Sequence, residues 1–246
     1  MQLYNNRPPV TSDAPLTQDR RPYRRESESS RRDALIQATQ ALVAEGGPAA
    51  ATVRAIAERA GVTPGLIRHY FGSKDELSRA AYRALMDGMT DRGQDALEGV
   101  SAEPGERLAA FVAASLRPPV VDGRAVGLWA GYIHQVQSDP ALLSLHEKGY
   151  LRYRDMLQSL IADLDRPGVD EARMRQEAIA CNAVIDGLWL EGGVLPHGFA
   201  TGELVRIGLA SVGAILGFDL MAFGTFIPEI APPAAPGSGP SKGEAA

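Results

Sequence analysis

The stretch GVTPGLIRHYFGSKDEL, residues 61 to 77, sets an imidazole, His69, beside a phenol, Tyr70, and then Phe71. Such a cluster can move protons, pack in a core or touch another macromolecule, and its surroundings decide which. Proton transfer in catalysis needs a nucleophile or a second titratable group held close to the base. The four histidines, His69, His134, His146 and His197, are scattered, and neither the single cysteine, Cys181, nor any serine sits in a nucleophile motif. No HxxxH or CxxC spacing is present to hold a metal. Neither a metal nor a cofactor is expected, and the enzyme reading is set aside in favour of binding.

A second set of residues points to a small ligand. Gln135, Asn182 and Asp186 stand inside otherwise apolar helical patterns, where a polar group needs a partner from a ligand, a water or a neighbouring helix. Trp129, Tyr132, Tyr150, Tyr153 and Trp189 occupy the same region, and aromatic faces can hold a quaternary ammonium by cation–π attraction. Core packing accounts for any one of them taken alone. Taken together, Trp129, Tyr132, Gln135, Tyr153, Asn182, Asp186 and Trp189 are the expected lining of an effector cavity, with Asp186 beside Trp189 the pair to test for a cationic ligand.

The elements that must carry these residues are helices. Long Ala, Leu, Arg and Glu segments place apolar residues at three- and four-residue intervals, and alternating β-branched runs are scarce. The fold class is therefore all-α. Ser30 is the expected cap of a first helix burying Leu35, Ile36, Thr39, Leu42 and Val43, which Glu45-Gly46-Gly47 ends. Thr52 caps a short second helix, Gly61 breaks it, and Thr63 with Pro64 restarts a third that runs through Tyr70. Ser73 and Glu76 have the spacing of a capping box and launch a fourth, reaching the Glu98 region. Five more helices are expected near 105–116, 124–138, 140–163, 170–191 and 201–216, separated by the breaks RPPVVDG, DRPG and GGVLPHG.

Of these elements, the second and third have the spacing of a helix-turn-helix. Small Ala57 lies four residues before Gly61 and Ile67 six after it, so the helices can cross closely around Ile56, Ala60, Val62 and Ile67. The outer face of the third helix then presents Thr63, Gly65, Arg68 and His69, the geometry that enters a major groove. Charge agrees with this division. The chain carries a net −5, yet residues 20 to 83 hold 12 Arg and Lys against 7 Asp and Glu, leaving 13 against 23 elsewhere.

The run TVRAIAERAGVTPGLIRHYFGSKDEL resembles the DNA-binding signature of the TetR family of bacterial transcription regulators, over residues 30 to 77. The resemblance implies a homodimer in which this module reads a pseudo-palindromic double-stranded operator while a larger helical body binds a small molecule. By position, it implies that Thr52 and Arg54 touch DNA from the start of the second helix. Thr63, Pro64, Gly65, Arg68 and His69 would line the recognition helix, and Tyr70 and Lys74 would hold phosphate. The physical roles agree: Arg68 can offer a bidentate fork to guanine, and Lys74 a point charge to the backbone. Further on, AVGLWAGYIHQVQSDPALLSLHEKGYLRYRDML and AVIDGLWLEGG are similar to the body of the BetI-like branch, whose members are associated with choline and glycine betaine metabolism. This second resemblance specifies architecture and not the ligand.

The domains expected are thus a disordered basic arm over 1–29, a DNA-binding helix-turn-helix domain over 30–77, an effector-binding and dimerisation domain over 78–227, and a disordered tail over 228–246. The six arginines of DRRPYRRESESSRR fit either an arm that enters a minor groove or a solvated leader. The last two helices carry broad apolar faces with small residues, Ala183, Gly187, Ala210 and Gly213, and form the expected dimer interface unless burial within the chain claims the first of them. No run reaches the roughly 18 consecutive apolar residues of a membrane span, and with no disulfide pair or leader a cytoplasmic protein is expected. The function expected is a sequence-specific transcriptional repressor released by a small-molecule effector. The alternative is an effector-independent DNA-binding protein, distinguished by a ligand screen that never raises thermal stability.

Overall fold

The computed structural model describes residues 28–226, so the expected arm up to Ser27 and the tail from 228 lie outside the described residues. Among the described residues, nine α-helices and a 3-10 segment, Leu220–Phe226, make up the regular structure, and no strand occurs.

The first helix, α1 (Glu28–Ala50), starts two residues ahead of Ser30, and its backbone leaves the helical region at Gly46 and Gly47, where the break was expected. Leu35, Thr39 and Val43 are buried, whereas Ile36 and Leu42 are only partly so. α2 (Val53–Arg59) is capped as its sequence implies, the Thr52 hydroxyl accepting from Ala55 N–H at 3.1 Å. The chain then turns at Gly61, φ +65°, a left-handed conformation that favours glycine, and Val62 N–H closes the turn on the Ala57 carbonyl at 2.9 Å. α3 (Gly65–Phe71) has no side-chain cap: the Thr63 hydroxyl does not serve, and its carbonyl accepts from Leu66 N–H instead.

α4 (Lys74–Asp95) begins with half of the expected capping box. Ser73 Oγ accepts from Glu76 N–H at 3.1 Å, but the Glu76 carboxylate turns away to Arg79, because a cation three residues on is a stronger partner than a neutral amide. Arg79 also bridges to Asp139 at 3.0 Å, tying α4 to the cap of a later helix.

The body consists of α5 (Pro104–Ser115), α6 (Gly123–Val136), α7 (Pro140–Ala162), α8 (Glu171–Val194) and α9 (Glu203–Leu216), each within three residues of its expected limits. Carboxylates start four of them: Glu103, Asp122, Asp139 and Asp170 each accept from a backbone N–H in the first turn.

Two main cores result. Phe111, Leu157, Ile161, Ile185 and Leu209 belong to a core shared by α5, α7, α8 and α9. The other joins Leu35, Val43, Ile56, Ile67, Leu77 and Tyr82 to Leu128, Tyr132 and Val136 of α6 and Leu142 of α7, so the helix-turn-helix shares its core with the body.

Candidate DNA-binding face and effector cavity

The turn at Gly61 and the burial of Ile67 fix which side of α3 faces outward. Thr63, Pro64, Gly65, Arg68 and His69 are all exposed, and they are joined by exposed Thr52 and Arg54 at the start of α2. Arg54, Arg68 and Lys74 make no hydrogen bond or ion pair among the described residues, so their cationic groups are available to an anionic surface. Tyr70 is half-buried against the core, edge-on to His69 at 4.9 Å between ring centroids, and Phe71 packs inward. The end of α3 is braced by Arg32, whose guanidinium donates to the Tyr70 carbonyl at 3.1 Å and lies 4.5 Å from the Phe71 ring centre. Arg31 and Arg32 therefore stand on α1, and Arg32 serves the module's own packing.

The cavity lies in the body, where α4, α5, α7 and α8 meet. An inner chamber of about 40 Å³ is lined by Met86, Met89 and Thr90 of α4, Ser115 of α5, Tyr150 and Tyr153 of α7, and Asn182, Ile185, Asp186 and Trp189 of α8. An outer recess of about 380 Å³ shares Met86, Met89, Tyr150, Asp186 and Trp189 with it and adds Trp129 and His146. Trp129 and Trp189 meet edge to face, 5.9 Å between ring centres, and Trp189 is oriented by its indole N–H donating to the Val120 carbonyl at 2.9 Å.

Polar groups converge on this space. The Tyr150 hydroxyl donates to Asp186 Oδ2, and Asn182 Nδ2 donates both to that hydroxyl, at 2.7 Å, and to Asp186 Oδ2, at 3.0 Å. Burial pushes the Asp186 carboxyl above the usual range, although those two donors and His146 oppose it. Burial also pushes the Tyr150 phenol up to about 12, with the Asp186 carboxylate adding to the effect. His146 is held below its ordinary value by burial, against the pull of Glu147 and Asp186. The Cys181 thiol lies on the core face of α8, where burial pushes it up to about 12.

From the recess, contacts run back toward the DNA-binding module. His146 packs on Tyr150, and its Nδ1 shares a hydrogen bond of 2.8 Å with the Tyr82 hydroxyl on α4. Tyr82 packs on Tyr132, ring centres 5.0 Å apart, whose hydroxyl meets Ser78 Oγ at 2.9 Å. Tyr132 is thus fully buried in the core shared with the helix-turn-helix and lines neither chamber, contrary to expectation. Gln135 lines neither chamber as well. Trp129, Tyr153, Asn182, Asp186 and Trp189 are brought together as their sequence positions suggested.

Comparison with known proteins accords with both halves. Residues 35–81 match the family model of bacterial regulatory proteins of the tetR family, and residues 104–217 match the C-terminal domain of BetI-type transcriptional repressors. A regulator of Chromohalobacter salexigens, HTH-type transcriptional regulator BetI 2, is 35% identical over 179 residues, 72% of this chain and 84% of that one. The BetI regulator of Paraburkholderia phytofirmans is 30% identical over 177 residues, 72% of this chain and 89% of that one. The chain belongs to the TetR family, with a BetI-type body. Among solved structures, a putative transcriptional regulator from Pseudomonas aeruginosa PAO1 superposes with a TM-score of 0.72 at 30% identity, covering 81% of this chain and 96% of that one.

This TetR-family regulator keeps an apolar strip outside its cores. On α8, Ile179, Ala183, Gly187, Leu190 and Val194 are exposed, and on α9 Ile207 and Ala210 are. Gly213 does not join them: it is buried, and a Cβ there would stand 2.6 Å from the Phe218 carbonyl, so its smallness serves packing within the chain. Sequence reasoning missed Met86, Met89, Thr90, Ser115 and His146 in the cavity lining, and Arg32 in the module. The methionines were legible only as apolar helix positions, and Arg32 acts on a residue 38 positions away, which no local pattern reveals. No helix among the described residues is long and apolar enough to cross a membrane, and no group of three metal-ligating side chains occurs among them.

Proposed function

We propose that this TetR-family transcriptional regulator binds a pseudo-palindromic double-stranded operator as a homodimer and acts as a repressor that a small cationic effector releases. Residues 30–77 read the DNA, and residues 78–227 bind the effector and form the dimer through the exposed strips of α8 and α9. Arg68, with Thr63, Pro64, Gly65 and His69, meets base edges in the major groove, while Thr52, Arg54, Tyr70 and Lys74 hold the backbone. Asp186, Trp129, Trp189, Tyr153 and Asn182 hold the effector: a carboxylate beside two tryptophans favours a cation by charge and by its aromatic faces.

The observation that carries this reading is the placement of α4. Its middle lines the cavity with Met86, Met89 and Thr90, and its start at Lys74 follows the end of the recognition helix after two residues. An effector that spreads α4 from α8 favours a helix position unsuited to the operator, a population shift set by its differential affinity for the two states. The path from Asp186 through Tyr150, His146, Tyr82 and Tyr132 to Ser78 couples the sites.

The test starts by recovering fragments of the source genome that the protein retains, then titrating their complexes with cationic metabolites. Release of DNA by a cation, lost in Asp186→Asn while operator affinity is kept, is the expected result. Equal release from the Asp186→Asn protein would move the effector elsewhere.

A further inference from the structure

Hydrogen-bond accounting within the cavity narrows the chemistry of the ligand. Both amide hydrogens of Asn182 are committed, one to the Tyr150 hydroxyl and one to Asp186 Oδ2. That fixes the orientation of the amide and leaves its Oδ1 as the free end. Asn182 is only 3% exposed and lines the inner chamber, and its Oδ1 accepts no hydrogen bond from the protein. A buried acceptor left unmet is costly, so the group is a ready receiver for a donor brought by a ligand. On the same helix face, Asp186 Oδ2 is taken by Tyr150 and Asn182, whereas no protein group donates to its Oδ1. The cavity therefore offers two open acceptors, one of them on a carboxylate, on residues four apart on α8.

We propose that Asn182 selects effectors whose cationic head carries N–H groups, that is, protonated primary or secondary amines, and discriminates against fully alkylated ammonium ions. This rests on the cavity being the effector site. One N–H of such a head reaches Asp186 Oδ1 and a second reaches Asn182 Oδ1, while the attached carbon chain lies in the outer recess between Trp129 and Trp189. A quaternary head supplies charge for Asp186 and contacts for the tryptophans, but leaves Asn182 Oδ1 unmet.

The test uses n-butylamine and its N-methyl, N,N-dimethyl and N,N,N-trimethyl derivatives, all cationic at pH 7 and carrying three, two, one and no N–H. Both tryptophans of the chain line the recess, so intrinsic fluorescence reports occupancy directly. For the native sequence, losing the second N–H, between the N-methyl and N,N-dimethyl compounds, is expected to weaken binding about tenfold, equivalent to about 1.4 kcal/mol. In Asn182→Leu the N-methyl and N,N-dimethyl compounds should bind within about twofold of each other, since an apolar group asks for no donor. The native series is decisive even if that variant does not fold. Equal binding of all four compounds, with every one weakened in Asp186→Asn, would overturn selection by Asn182 while keeping the cavity as the effector site. Tightest binding of the trimethyl compound would overturn it too. No fluorescence response to any of the four, with operator binding intact, would overturn both the selection and the cationic reading of the cavity.

Discussion

Replacing Lys74 by alanine separates the two modes of DNA contact proposed for this regulator. Lys74 opens α4, is half-buried, and has no partner among the described residues, so its ammonium is free to meet a phosphate. In the proposed homodimer two-fold symmetry doubles the effect, and each substitution would remove two phosphate contacts per operator. A neutralised phosphate on B-DNA contributes about 0.9 to the slope of log affinity against log salt, so the slope should become shallower by about 1.8. Between about 50 and 200 mM salt, a fourfold range, the advantage of the native protein over Lys74→Ala should therefore shrink by about twelvefold. Arg68→Ala behaves differently: losing a bidentate base contact costs about 1–3 kcal/mol in each half-site and relaxes the preference at one base pair. Fluorescence anisotropy over a salt series, repeated on operators each changed at one base pair, measures both. An unchanged slope for Lys74→Ala would refute the phosphate assignment. Uniform weakening on every operator by Arg68→Ala would show that another face of the module reads the bases.

Three further outcomes follow from the body. Burial raises the Asp186 carboxyl, so in the free protein its charge, which a cation needs, is lost on acidification earlier than for an ordinary aspartate. Effector affinity should be full above that raised value and fall as pH drops through it, a dependence that calorimetry should find absent in Asp186→Asn. Ile207→Glu, placing a charge on the exposed α9 strip, should yield monomers in sedimentation with weakened operator binding; a variant that stays dimeric would move the interface elsewhere. Tyr82→Phe keeps the buried ring but removes its bond to His146, which should cost roughly 1 kcal/mol in urea unfolding. The effector should then weaken operator binding about fivefold less than in the native protein, and unchanged coupling would exclude this path.

What could be read from the sequence was local. Thr52, Asp139 and Asp170 cap helices because an oxygen two or three residues before a free N–H needs no tertiary information. The outward face of α3 followed from Gly61 and Ile67 in the same way. What could not be read depends on which helix lies opposite. Periodicity placed Tyr132 on an inward face of α6, and that is correct, but the face meets Ser78, 54 residues earlier, and not the cavity. Gly213 was read as a point of approach between copies, whereas the chain's own turn at Phe218 covers it. Glu76 shows the intermediate case: the capping spacing was present, yet Arg79 within the same turn outcompeted the backbone amide.

The continuity of α4 has a geometric consequence. From Met86 at the cavity to Lys74 beside the recognition helix is twelve residues of unbroken helix, about 18 Å of rigid rod. A tilt of about 10° pivoting at the cavity would swing the Lys74 end by about 3 Å, and two-fold symmetry would alter the spacing of the paired recognition helices by up to about 6 Å. Successive major grooves on one face recur every 34 Å or so, and hydrogen bonds to base edges tolerate only a few tenths of an ångström. On the proposed mechanism the rod would act as a lever arm, turning the seating of a small cationic head group into a mismatch of the protein's span with the pitch of DNA.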